Sequence, residues 1–458
     1  MHFVLKKYIM LFCFGILAFF MITIGIRFFS RQLLEKKLHV DSAFTHAVFF
    51  DNEELYRPVE DQSIRSRSIP IDWKEMYPFT RAEESDTHSK VRWVLNVPTE
   101  IKRSIQAKEK RVEKWTTDYL IGYIFFAEQG RRYENFIGWH IINPAWEIAT
   151  FSDGYLTSAL RRNNNINEYV DSLCVLNDYV KKHGGKLLLV QTPFKVCKYA
   201  DFDIINKFDY SNANADELLS GLSSNGVSYM DLRDEVHRSF SVEEYHSLFF
   251  RTDHHWKPET GLWATSLIVA KLNSDYGFQI DLDLFRLDRY KVDVYSKWFL
   301  GSLGKKMTLS RVDPEDCSYI LPKFPHKIDY EIPSLGIHTT GTLAVTYDPY
   351  QFSSIDYYHK TLYEGYNYSD NAVIKFHNHQ ITDGKRILMI KDSFANVVAP
   401  FLSLGVEDLC MVDTRVFTGS LERFIDEYQP DLVLVITNPS SYARHIDWEQ
   451  GGSLFDFR

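Results

Sequence analysis

A chain of 458 residues with 45% hydrophobic and 25% charged positions can bury a sizeable core, as one large decorated domain or two smaller ones. Aromatics reach 15%, which excludes long disordered tracts and points to well-filled packing with irregular loops. The formal net charge of -9 removes any electrostatic case for nucleic acid as a partner, and no low-complexity tract or solenoid-length repeat stands out.

Residues 8–26 carry no formal charge, and Arg27 closes the run. As a helix rising about 1.5 Å per residue they would reach roughly 28 Å, near the thickness of a bilayer's hydrocarbon layer. A cleaved signal peptide would have a shorter apolar stretch and a small-x-small site. Here Arg27, Phe28, Phe29, Ser30 and Arg31 follow, so residues 1–37 are expected to form an uncleaved, single-pass anchor. Charge does not orient it: Lys6 and Lys7 precede the span, while Arg27, Arg31, Lys36 and Lys37 follow. Of the five cysteines, Cys13 lies in the span, and the other four (Cys174, Cys197, Cys317 and Cys410) lack metal-ligand spacing and leave the redox compartment open.

Residues 38–150 read as a mostly helical entry region packed on a catalytic domain of residues 151–458. The uncharged core of the entry region, 119–127, is too short to cross a membrane. Beyond it, helices and strands alternate. A helix over 166–182 stops at Gly184 and Gly185, and the continuous apolar run 186–191 is typical of a buried parallel strand. A helix over 213–222, strands over 227–232, 386–390 and 431–436, and a helix over 421–428 repeat the theme. The pattern predicts a doubly wound parallel α/β sheet with helices on both faces. Between about 280 and 380 the rhythm gives way to Tyr-rich, turn-rich sequence, read as a loop-rich and β insertion on the functional end of the sheet.

Two separated segments carry the chemistry. Lys391, Asp392, Ser393 and Phe394 follow an apolar strand, and Val397, Val398, Phe401 and Leu402 continue at helical spacing, with Pro400 expected to kink or shorten the helix. Ser393 thus falls at a strand-to-helix junction, where unpaired backbone N–H groups suit a developing oxyanion. Ser393 or Asp392 as a plain helix cap is the competing reading. The second segment, Thr252, Asp253, His254, His255 and Trp256, lies just before a helix that Pro258 opens. In extended backbone, positions i and i+2 face the same way, so Asp253 can orient His255, while His254 points elsewhere and Trp256 can wall the site. A serine hydroxyl needs such an imidazole to take its proton and a carboxylate to hold the ring, so the three side chains together suit acyl transfer through a serine. A metal site built from Asp253, His254 and His255 with His377 and His379 is the alternative, but no local ligand framework supports it and it leaves Ser393 unexplained. No metal is therefore expected.

At these residues the chain resembles the DHHW protein family, which is related to the alginate O-acetyltransferase proteins with SGNH-hydrolase-like catalytic domains. The run TDHHW, then KDSFANVVAPFL from Lys391, then MVDTRVF from Met411 occur in the family's order. Looser likeness extends to LLLVQTPFK, YMDLRDEV and FLGSLGKKM, so that the resemblance covers the chain from about residue 90 onward. It implies Ser393 as nucleophile, His255 as base and Asp253 as its orienter. Two features depart from ordinary SGNH enzymes: Lys391 stands where a GDS-type motif has glycine, and the separate glycine and asparagine oxyanion blocks have no counterpart. Arg415 matches the DxR segment and faces either the acyl group or a structural salt bridge; Lys195 is a weaker candidate at a strand end.

The resemblance implies a membrane-anchored O-acetyltransferase that modifies a cell-surface or exported polysaccharide through a serine acyl-enzyme, with its catalytic domain outside the cytoplasm. No acetyl-CoA phosphate cradle is evident, so no cofactor is expected, and an integral-membrane acyltransferase is the implied source of the acetyl group. A carbohydrate esterase with the same three residues, and a non-catalytic glycan-binding assembly subunit, are the other two readings.

Overall fold

A computed structural model describes residues 148–200, 205, 209–382, 384–442, 455 and 457. The expected anchor and nearly all of the expected entry region lie outside these residues. No helix among the described residues is long and apolar enough to cross a membrane.

The strands are β1 (Ile148–Thr150), β2 (Leu156–Ser158), β3 (Lys186–Gln191), β4 (Tyr229–Asp231), β5 (Tyr290–Phe299), β6 (Glu315–Pro322), β7 (Ile328–Ile332), β8 (Ile337–Gly341), β9 (Val373–Asn378), β10 (Arg386–Lys391), β11 (Asp408–Val412) and β12 (Leu432–Thr437). Eight of them form one sheet in the order β4-β3-β12-β10-β11-β9-β7-β8, while β1 pairs with β2 and β5 with β6 in separate two-stranded ribbons.

From β4 to β11 the neighbours are parallel, and their apolar runs have a simple cause: both faces of this half are covered. Leu187, Leu189, Leu388, Ile390, Val433 and Val435 pack with the helices Ile166–Lys182, Ser211–Ser224 and Leu421–Tyr428. The alternate residues Leu188, Val190, Ile387, Met389, Leu434 and Ile436 pack on the other side, with the helix Pro258–Asp275 and the short turn Ala399–Leu402. The fold is therefore α/β with helices on both faces, as expected.

The sheet is mixed, however, and not wholly parallel. β9 runs antiparallel to β11, and β7 and β8 continue antiparallel beyond it. The 280–380 insertion thus does two things at once: β7 to β9 extend the sheet at one edge, and the β5–β6 ribbon and the loops beside it reach the loop carrying Thr252 and Asp253. β7 reads Ile-Asp-Tyr-Glu-Ile with alternating burial, as expected for a sheet with one solvated face. The described cysteines are all free.

Candidate active site

β10 ends at Lys391, and the Asp392 N–H makes one further rung to the Ile436 carbonyl (3.2 Å). Asp392 is the cap of the turn that follows. Its Oδ1 accepts from the Phe394 N–H (2.9 Å), and its Oδ2 accepts from Asn438 N and Nδ2 (2.6 Å each) and Ser441 Oγ (2.7 Å). That leaves the side chain of half-buried Ser393 available for other partners. The turn is a 3₁₀ segment, Ser393–Val397, followed by one helical turn, Ala399–Leu402, with Pro400 in its first positions, so the expected longer helix is cut short as Pro400 implied. The Phe394 N–H is taken up by Asp392 Oδ1 and the Ala395 N–H by the Asp392 carbonyl (3.2 Å). Of the N–H groups expected to face an oxyanion, Ser393's own is the one without a protein partner among the described residues.

The second segment forms a tight bend and not the extended stretch expected. A bridge between Phe249 and Trp256, with hydrogen bonds from Phe250 N to His255 O (3.1 Å) and Lys257 N to Leu248 O (2.9 Å), closes it. Asp253 Oδ1 accepts from the His255 backbone N–H (3.1 Å), an Asx-type turn that brings the two side chains together. The insertion holds this bend from outside. Glu315, at the start of β6, accepts from Arg251 N (2.6 Å), Thr252 N (2.6 Å) and Thr252 Oγ1 (2.5 Å). Gly301 N donates to Thr252 Oγ1 (2.9 Å), and Ser302 N donates to Asp253 Oδ2 (2.6 Å). A Cβ on Gly301 would sit 2.3 Å from Asp253 Cβ, so only glycine permits this approach. Gly261 likewise lets the helix Pro258–Asp275 reach the serine turn, since a Cβ there would lie 2.3 Å from the Val397 carbonyl oxygen.

These constraints place His255 Nδ1 2.6 Å from Asp253 Oδ1 and His255 Nε2 2.6 Å from Ser393 Oγ. Burial opposes the Asp253 charge, but the neighbouring His255 and His254 and the hydrogen bonds from His255 and Ser302 hold its carboxyl well below the usual range. An ionised carboxylate only accepts, so Nδ1 carries the hydrogen of the neutral ring and Nε2 is left to accept the Ser393 hydroxyl proton. The catalytic-type arrangement thus has its proton path set by hydrogen bonds alone.

Two further contributors, Tyr363 and Asp370, lie in no sequence motif, and Lys391 of the KDSF run pairs with the second of them. Tyr363 lies against the His255 ring, and its hydroxyl donates to the Ser393 carbonyl (2.8 Å). Lys391 is fully buried; its ammonium pairs with Asp370 and with Asp413 (3.2 Å) and donates to Asn396 Oδ1 (3.1 Å). Asp370 follows three consecutive non-glycine residues in the left-handed region, Asn367, Tyr368 and Ser369 (φ 54°, 53° and 71°). Left-handed backbone costs roughly 1–2 kcal/mol per residue. Here it is held by Asn367 Nδ2 donating to Asn396 O (2.9 Å) and Asn371 Nδ2 donating to Tyr368 O (2.9 Å).

Three expected site residues are placed differently. Arg415 binds Asp413 through Nε (2.8 Å) and Nη2 (2.5 Å) and Asp370 through Nη2 (2.9 Å), the salt bridge of its two readings, with its side chain still partly exposed. Lys195 is fully buried, with Nζ donating to the carbonyls of Leu156 (2.6 Å) and Arg251 (3.3 Å), and burial pushes its pKa down to about 7. It braces the bend through the Arg251 carbonyl, with its ammonium turned to backbone oxygens. Trp256 is also fully buried and does not wall the site; its indole N–H donates to the Phe394 carbonyl (2.9 Å) and ties the two segments together. The histidines weighed as metal ligands fall into two groups. His377, on β9, is opposite Asp408, where β11 begins, and pairs with it at 2.8 Å. Ser393 follows the other end of the parallel strands, so His377 and His379 share no site with Asp253, His254 and His255.

A serine at the carboxyl end of a parallel strand, facing a histidine held by a carboxylate, is the arrangement of a serine nucleophile with its base, a constellation that several folds share. The chain is similar to two families: residues 223–412 match the family model described as DHHW protein, and residues 150–280 match that described as SGNH hydrolase-like domain, acetyltransferase AlgX. The fold is shared with Bacillus cereus PatB1, at a TM-score of 0.56 and 20% identity over 68% of this chain and 99% of that one. The same protein with a sulfonyl adduct aligns at a TM-score of 0.55 and 18% identity over the same shares. A DHHW family protein from Eubacterium siraeum aligns at 0.50 and 17%, over 65% of this chain and 92% of that one. No curated protein matches the chain significantly in sequence.

Proposed function

We propose that the chain is an O-acetyltransferase that modifies a polysaccharide through an acetyl-Ser393 intermediate. The observation that carries this reading is the hydrogen-bonded series from Asp253 through His255 to Ser393 Oγ, both links at 2.6 Å. The match of residues 150–280 to an acetyltransferase family model supports acetyl as the group transferred.

In the first half-reaction His255 Nε2 takes the Ser393 proton while Oγ attacks the donor's carbonyl carbon. Asp253 holds the imidazolium, and the Ser393 backbone N–H faces the tetrahedral oxyanion. Collapse expels the donor's leaving group, which receives the proton from His255. In the second half-reaction a sugar hydroxyl gives its proton to His255 and attacks the acetyl carbon. The Oγ–carbon bond breaks, and the proton returns to Ser393.

The apolar run at 8–26 would hold the enzyme at the membrane as a single-pass protein, with the catalytic domain on the outer side among glycans. There an integral-membrane acyltransferase would deliver the acetyl group. The test is incubation with an acetyl donor, with and without oligosaccharides: acetylated sugar supports transfer, and free acetate alone in every case replaces it with a carbohydrate esterase.

A further inference from the structure

His254 is the member of the Asp253–His254–His255 run to which acyl transfer assigns no task. Its ring centroid lies 3.7 Å from that of His255, at an interplanar angle of 38°. Tyr363 is at 3.8 Å and 11° from the same imidazole. Two rings cannot occupy one face at such distances, so the His255 imidazole is clamped with Tyr363 on one side and His254 on the other.

The two covers differ in character. Tyr363 is fully buried, whereas the His254 side chain is 32% exposed, against the ring whose Nε2 meets Ser393 Oγ. His254 Nδ1 is anchored, 3.1 Å from Ser302 Oγ and 3.4 Å from Asp253 Oδ1. Nε2, at the distal edge of the ring, has no protein partner among the described residues. Burial, and then repulsion from His255, push the His254 pKa down to about 3. The ring therefore stays neutral at working pH, takes no proton from the reaction and does not repel the His255 imidazolium.

Resting on the acyl-transfer reading above, we infer that His254 is the acceptor contact of the site, its Nε2 hydrogen-bonding a second hydroxyl of the sugar whose first hydroxyl attacks acetyl-Ser393. A polyol has two oxygens to offer, one for each adjacent imidazole; a water molecule has one. The attacking hydroxyl's proton goes to His255 Nε2, its oxygen bonds to the acetyl carbon, the carbon–Oγ bond breaks, and the proton passes to Ser393 Oγ. His254 loses and gains none. The neighbouring hydroxyl held by His254 keeps the sugar in place while this happens, so the residue tilts the acyl-enzyme toward transfer and away from hydrolysis.

The experiment separates the two half-reactions. With p-nitrophenyl acetate as donor and chitopentaose as acceptor, the acetyl mass on Ser393 reports the first, and the ratio of acetylated sugar to free acetate reports the second. His254→Ala is expected to slow acylation by about threefold, through lost support of the His255 ring, and to lower the transfer ratio about tenfold or more, the usual effect of one lost substrate hydrogen bond. His254→Gln, which keeps a distal polar group, is expected to recover part of the ratio. An unchanged ratio in His254→Ala overturns the inference. So does an equal loss in both half-reactions that His254→Gln fails to relieve, which marks a purely structural residue. If the unaltered protein takes no acetyl group at Ser393, the acyl-transfer reading itself has failed, and this inference falls with it.

Discussion

The Tyr363 ring lies parallel to the His255 imidazole, 3.8 Å away at 11°, while its hydroxyl holds the Ser393 carbonyl at 2.8 Å. One buried side chain from the insertion therefore fixes the His255 ring and the Ser393 backbone together. Tyr363→Phe keeps the stacking but leaves the Ser393 carbonyl without its donor. It is expected to destabilise by about 1–3 kcal/mol, and to slow acylation by about tenfold as the serine turn shifts. Tyr363→Leu also removes the stacking and should be slower still. Thermal melts and p-nitrophenyl acetate turnover measure both.

Gly301 makes the sharpest steric prediction. A Cβ at this position would lie 2.3 Å from Asp253 Cβ, in contact with backbone that cannot yield cheaply. Gly301→Ala should move the Asp253–His255 bend and lower turnover by roughly a hundredfold, as expected for a misplacement of about 1 Å. Gly336→Ala, in an open turn with a φ of 64° and nothing within 4 Å of its Cβ, is the control: it strains the backbone but leaves the site alone.

Asp253 sets an acid limb. Its folded carboxyl is held well below the usual range, against an unfolded value of roughly 3.9. A carboxyl depressed on folding contributes stability that is complete above the unfolded pKa and is lost as pH falls through the folded one. Asp253→Asn should therefore lose less stability than the unaltered protein as pH falls below the unfolded carboxyl value of roughly 3.9, in urea titrations at falling pH. At neutral pH the same change should lower turnover by about 10³–10⁴, because asparagine favours the wrong imidazole tautomer.

Lys391, fully buried between Asp370 and Asp413, balances two carboxylates together with Arg415. Lys391→Met leaves Asp413 buried with one partner fewer and is expected to cost about 3–5 kcal/mol. Lys391→Met/Asp370→Asn removes a charge of each sign and should recover part of that loss. Chemical denaturation of the three proteins distinguishes a charge imbalance from a packing defect.

Legibility in the sequence followed the range of the interactions. β3 and β10 were readable because strands buried on both faces are largely continuous apolar runs, expected over 186–191 and 386–390 and found over 186–191 and 386–391. β11 (Asp408–Val412) went unread, as four apolar residues after an aspartate give too short a signal, and the antiparallel β7–β9 edge was hidden in alternating, Tyr-rich sequence. The proximity of Ser393, His255 and Asp253 was legible through two local motifs. Glu315, Tyr363 and Asp370 were not, because each is a single residue whose partner lies 63, 30 or 21 positions away. The burial of Lys195 and Trp256 and the pairing of Arg415 with Asp413 and Asp370 depend on distant partners that composition and spacing do not reveal.

The central claim is that Ser393 becomes acetylated with His255 as its base. Intact-protein and peptide mass spectrometry after brief exposure to p-nitrophenyl acetate tests it most directly. One acetyl group is expected, located on Ser393, absent from Ser393→Ala and formed far more slowly in His255→Ala. Acetylation that persists in Ser393→Ala, or that His255→Ala leaves at full rate, would contradict it.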